Sequence, residues 1–151
     1  MRSRRLVVLG VLATALVALL AAPAGAMAGA EPRGTLIKII DHSRFGSMLF
    51  DRRGQAIYGF TYDRRNRSRC YGSCARAWPP VLTRGRPTAG RNVDRDKLGT
   101  TRRRDGKLQV TYNGHPLYFY VNEGRLQVFC HRVRSYGGLW LVVRPSGRFA
   151  P

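Results

Sequence analysis

Beyond residue 34, branched and aromatic residues recur in short runs between Gly, Asn and Asp punctuation, which is the pattern of strands joined by tight turns. Strands are predicted over residues 35–40, 47–51, 55–62, 107–112, 116–121, 126–133 and 139–144. Two of the connections carry hairpin chemistry. Asp51-Arg52-Arg53-Gly54 ends on a glycine able to take a positive φ, and Asn113-Gly114 is among the strongest short-range hairpin signals. Residues 72–78 have a helical look that Pro79-Pro80 ends. Residues 83–104 are polar, rich in Arg, Gly and Thr, with room for one helical turn over 92–98, and read as a linker. The expected fold class is all-β with one short helical segment.

The two halves of this pattern match each other. A shift of sixty positions lays Gly54 on Gly114, Ile57 on Leu117, Tyr58 on Tyr118, Phe60 on Tyr120, Asp63 on Glu123 and Cys70 on Cys130. A shift of sixty-two lays Trp78 on Trp140 and Val81 on Val143, the slip expected of a loop insertion. The chain is therefore a tandem duplication, with copies over about 46–82 and 105–147. Two copies are too few for a solenoid, so they are expected to pack as one unit with pseudo-twofold symmetry.

The run from Leu49 to Asp63, which contains Tyr58-Gly59-Phe60-Thr61-Tyr62-Asp63, and the run from Ser68 to Pro80 carry a family resemblance. So do Gln109-Val110-Thr111-Tyr112-Asn113-Gly114, Pro116-Leu117-Tyr118 and Gly138-Leu139-Trp140 in the second half. Together they resemble a bacterial family of secreted repeat proteins and predicted lipoproteins with a Y-x-[FWY]-x-x-D motif. The resemblance implies export and duplication, and it brings no biochemical activity with it. Glu123 stands where the second copy would keep an aspartate, and Arg125 to His131 replace the Gly/Asp-rich loop usual there.

At the start of the chain Arg2, Arg4 and Arg5 precede an apolar stretch from Leu6 to Ala22 and then small residues at Ala24, Ala26, Ala28 and Ala30. This order is that of a signal peptide, cleaved after Ala30 or, alternatively, after Ala26. Pro23 and Gly25 interrupt the run where a membrane anchor would continue. Ser3-Arg4-Arg5 matches the twin-arginine signal only in part, which favours the general secretory route. With no cysteine near the cleavage region for a lipid, the mature domain, residues 31–151, is expected to be secreted without a membrane span.

Charge narrows the choice of partners. The chain holds 27 basic and 8 acidic residues, a formal charge of +19, and only Lys38, Lys97 and Lys107 among the basic ones are lysine. Outside the cytoplasm such a surface meets anionic envelope polymers and head groups. The competing explanation is a solvated surface that keeps the protein soluble. Arg64, Arg65, Arg67 and Arg69 form one cluster, and Arg102, Arg103 and Arg104 form another; both fall in predicted loops. Guanidinium forks hold phosphate or carboxylate, so these residues are the anion-binding candidates. Nucleic acid is not expected as a specific partner.

The aromatic motif, Tyr58, Phe60, Trp78, Tyr118, Tyr120 and Trp140 with the acids Asp63 and Glu123, admits two readings. It is either an aromatic floor with carboxylates at its rim, suited to a cyclic ligand, or core packing with turn-capping acids. Repetition in both copies favours packing. Cys70 and Cys74, four apart, are expected to form a disulfide in an oxidising compartment. Cys130 makes the count odd. Cys130-His131 together with Cys70 and Cys74 would give soft metal ligands or a redox centre, at a spacing that matches no zinc motif. His42, His115 and His131 sit in no recognisable triad. The acids nominate no glycosidase pair beyond Asp94 with Asp96, or Asp63 with Glu123 across the copies. The expected role is a non-catalytic envelope-binding module without cofactor, with a redox or metal-handling protein as the alternative.

Overall fold

The computed structural model describes residues 34–151, so the leader and its cleavage positions lie outside the described residues. Strand β1 (Leu36–His42) pairs antiparallel with β2 (Gly46–Asp51) from Ile37↔Asp51 to His42↔Gly46. The expected turn at Asp51 follows. Gly54 takes φ +85° and donates its N–H to the Asp51 carbonyl at 3.1 Å, and the Asp51 carboxylate accepts the N–H groups of Arg53 and Gln55 at 2.9 and 2.8 Å. The chain then bridges back at Phe50↔Ala56 into β3 (Tyr58–Phe60), and α1 (Ser73–Ala77) forms where the helical look predicts it.

After β4 (Leu82–Thr83), β5 (Thr88–Ala89) and a 3-10 turn at Arg95–Lys97, the same succession returns. Strand β6 (Leu98–Arg102) pairs antiparallel with β7 (Leu108–Tyr112), and β7 turns through Asn113 and Gly114, both at positive φ, into β8 (His115–Pro116). Strands β9 (Val133–Ser135) and β10 (Gly138–Val142) end the series.

Two expectations need correction. The stretch over 83–104 is not a linker: β5 pairs in parallel with β1, and β6 is the full partner of β7. Each copy therefore opens with a hairpin, β1/β2 or β6/β7, that starts several residues earlier than the sequence comparison placed it. The expected strand over 126–133 is also absent, with only Val133 entering β9. Leu126 and Arg132 hold positive φ, and the N–H groups of Phe129 and Cys130 go to the Glu123 carboxylate instead of a neighbouring strand.

The copies are interlocked. Strand β3 of the first copy pairs with β10 of the second, and β4 of the first pairs with β7 of the second. The Leu49 N–H donates to the Val143 carbonyl at 3.1 Å, and the Val110 N–H donates to Val81, the repeat counterpart of Val143, at 2.8 Å. At the centre Tyr58 and Tyr118 exchange both backbone hydrogen bonds at 2.9 Å. Because the edge of each hairpin is closed by the other copy, neither copy completes its own sheet. Two buried clusters result: one around Tyr58, Trp78, Tyr118 and Trp140, the other around Ile57, Val81, Leu117 and Val143.

Candidate functional site

The motif aromatics form a symmetric internal stack. Trp78 and Trp140 lie parallel across the pseudo-twofold with ring centroids 3.9 Å apart and 2° between planes. Phe60 stacks on the outer face of Trp140 at 4.1 Å, and Tyr120, its counterpart, leans on Trp78 at 4.8 Å. Tyr58 meets Trp78 edge-on at 5.4 Å and Tyr118 meets Trp140 edge-on at 5.2 Å. All but Tyr120 in this group are at most 2% exposed, so these rings are core and offer no open floor to a cyclic ligand.

The two motif acids are tied across the copies. Tyr58 donates its hydroxyl to the Glu123 carboxylate at 2.8 and 2.9 Å, and Tyr118 donates to Asp63 at 2.7 Å. Each acid also fixes the loop that follows it: Asp63 accepts the Arg69 N–H at 2.7 Å, and Glu123 accepts the Phe129 N–H at 2.6 Å. Burial raises both carboxyls, Asp63 to about 6, against the hydrogen bonds that lower both and the nearby Arg103 and Arg69 that lower Asp63. Burial also raises the Tyr58 and Tyr118 hydroxyls, reinforced by their carboxylate partners. Each acid is held by the other copy's tyrosine as a loop cap. Asp94 is likewise engaged locally, accepting the Asp96 N–H at 3.0 Å and pairing with Lys97.

Cys70 and Cys74 are joined in a disulfide with Cα atoms 5.2 Å apart, and both are buried. Cys130 is a free, buried thiol at the position that repeats Cys70; Arg134 stands where Cys74 would repeat, so the second copy has no partner for it. Burial and the neighbouring Glu123 push its thiol up to about 11, which disfavours the thiolate that metal binding or exchange requires. His131 sits against Phe45, accepts the Val142 N–H and contacts the Pro151 carbonyl. Among the described residues no group of three His, Cys, Asp or Glu side chains is placed to hold a metal.

The two arginine clusters, 33 residues apart between Arg69 and Arg102, meet in space. Arg64, Arg67, Arg69, Arg102 and Arg104 line one cleft of about 320 Å³, with Ser68 and Tyr71 completing its wall and no carboxylate in it. Two candidates, Arg65 and Arg103, do not line the cleft. Arg65 donates to the Asn113 carbonyl at 3.0 Å beside the second hairpin turn. Arg103 is buried and donates to Ser68, Gln109 and the Cys70 carbonyl at 2.9, 2.6 and 2.8 Å, so it ties the cleft wall to β7. Among the described residues the ion pairs are Lys97 with Asp94 and Arg103 with Asp105, which leaves the five cleft arginines without an acidic partner.

The sequence reading missed the aromatic supports of these arginines. Arg69 lies over the Tyr62 ring at 4.8 Å, and Arg103 and Arg104 lie over Tyr71 at 4.4 and 4.1 Å. A tyrosine on either side of the first arginine run, Tyr62 just before Asp63-Arg64 and Tyr71 just after Cys70, was the available signal.

A family model described as a secreted repeat of unknown function matches residues 40–82 and 99–122. The first match begins near the end of β1 and the second at the start of β6, so the two matches fall one on each copy, close to the boundaries set by the hairpins. No curated protein and no solved structure matches the chain. Among the described residues no helix is long and apolar enough to cross a membrane.

Proposed function

We propose that this chain is an exported, non-catalytic module that binds an anionic polymer of the cell envelope through its basic surface. The observation that carries the reading is that five arginines from two segments distant in sequence line one cleft without a carboxylate. Like charges gathered this closely repel one another, and a polyanion would relieve that repulsion. The redox or metal alternative needs accessible sulfur, and the burial of Cys70, Cys74 and Cys130 counts against it.

The test is retention of the mature protein on an immobilised sulfated polysaccharide and on the uncharged parent polymer, with salt raised from about 50 mM to about 500 mM. Retention on the charged matrix alone, lost steeply with salt, is the expected result. Equal retention on both matrices, or insensitivity to salt, overturns the reading.

A further inference from the structure

We propose that the arginine cleft recognises a phosphate group carried on an envelope molecule; this rests on the envelope-binding reading and adds the chemistry of the ligand. Charge and shape argue for it. A carboxylate offers two coplanar oxygens, which one or two guanidinium forks saturate. Phosphate directs its oxygens tetrahedrally and can therefore be met by forks approaching from different sides. Arg64, Arg67 and Arg69 approach from the loop after β3, and Arg102 and Arg104 from the end of β6 and the turn beyond it. The volume, about 320 Å³, is at the small end of ligand-sized clefts.

The aromatic rings narrow the class further. Carbohydrate and nucleobase ligands are commonly held by stacking on open aromatic faces. At this cleft the rings already carry guanidinium groups: Arg104 and Arg103 on Tyr71, and Arg69 on the adjoining Tyr62. These contacts restrain the arginine heads, which lowers the entropy lost when they close on an anion. The wall is fixed as well, because the Ser68 hydroxyl accepts from Arg103 and donates its own proton to the Tyr118 oxygen. Recognition at a site so built runs through charge and N–H donors. The sugar or polyol on either side of the phosphate contributes little.

Titration calorimetry of the mature protein tests this with four probes: poly(glycerol phosphate), polygalacturonate of matched length and charge, inorganic phosphate, and vesicles containing phosphatidylglycerol. The expected result is at least about tenfold tighter binding of poly(glycerol phosphate) than of polygalacturonate, with inorganic phosphate competing. Arg67→Ala/Arg104→Ala should lower that affinity by about tenfold or more. Arg86→Ala/Arg95→Ala, in a separate cleft that contains Asp96, removes the same charge and should leave it within about twofold. Vesicle binding that inorganic phosphate displaces and the cleft variant loses, without polymer binding, would assign the phosphate to a lipid head group. Equal affinity for both polymers, or equal loss in the two variants, overturns phosphate recognition and leaves general polyanion binding standing. No binding to any polyanion overturns both readings.

Discussion

Tyr58 and Tyr118, sixty positions apart, face each other at the pseudo-twofold, and each donates its backbone N–H to the other's carbonyl at 2.9 Å. Their side chains continue the exchange, since each hydroxyl reaches the acid of the other copy's motif: Tyr58 to Glu123, Tyr118 to Asp63. The tyrosine of one copy thus holds the acid of the other, and that acid holds the loop behind it.

Removing a hydroxyl from this arrangement leaves a buried carboxylate short of a donor. Tyr58→Phe should cost about 1–3 kcal/mol in urea unfolding, because Glu123 is only 6% exposed and keeps just its backbone donors. Combined with Glu123→Gln in a double-mutant cycle, the pair should show a coupling of about 1 kcal/mol or more. Strict additivity would mean that the hydroxyl and the carboxylate do not support each other.

The tryptophan stack predicts a second coupling. Trp78→Ala and Trp140→Ala should each cost about 3–5 kcal/mol, the range for deleting a large buried aromatic side chain. The double variant should cost less than their sum, since both single changes remove the same stacked face. Near-UV circular dichroism of either single variant should lose most of the aromatic signal, and a retained signal would contradict the stacking.

The disulfide is expected to add to global stability without being required for folding. A bridge between residues four apart closes a very short loop, for which chain entropy gives about 2 kcal/mol. Cys70→Ser/Cys74→Ser should therefore stay folded at reduced stability, as judged by urea unfolding. In the same protein a thiol reagent at about pH 8 should label Cys130 slowly until denaturant is added, because that thiol is buried and its ionisation is pushed up to about 11. Fast native labelling would show Cys130 to be open.

Much of this architecture was legible in the chain. Asn113-Gly114 and Asp51 to Gly54 marked their turns because left-handed backbone demands such residues, and the sixty-residue offset revealed the duplication. The interlock was not legible, since alternation tells which face of a strand is buried and says nothing of which strand covers it. β6 was missed for a different reason. Its residues, Leu98-Gly99-Thr100-Thr101-Arg102, bury Leu98 alone, because the strand lies at a sheet edge and needs no apolar run. Residues 126–133 erred the opposite way: their apolar content suggested a strand, while the backbone there is committed to Glu123. The arginine clusters were visible as charge, and only the hairpin β6/β7 brings them to one cleft. Arg103 looked like its neighbours in sequence, yet it is the one whose side chain turns inward.

Asp63 links this buried network to pH. Its carboxyl is raised to about 6 in the folded chain, chiefly by burial, against about 3.9 for an exposed aspartate. Between those two values the folded state holds more protons than the unfolded state, so unfolding free energy from this group falls as pH rises through the window. The contribution is fully present below about pH 4 and gone above about pH 6, and its size is roughly 2–3 kcal/mol. Asp63→Asn resembles the protonated acid and carries no titration. Its stability relative to the unaltered protein should therefore rise by roughly 2–3 kcal/mol between about pH 4 and about pH 7, measured by urea unfolding at each pH. A difference that stays flat across the window would show that the hydrogen bonds from Tyr118 and Arg69 outweigh burial and hold Asp63 near its ordinary value.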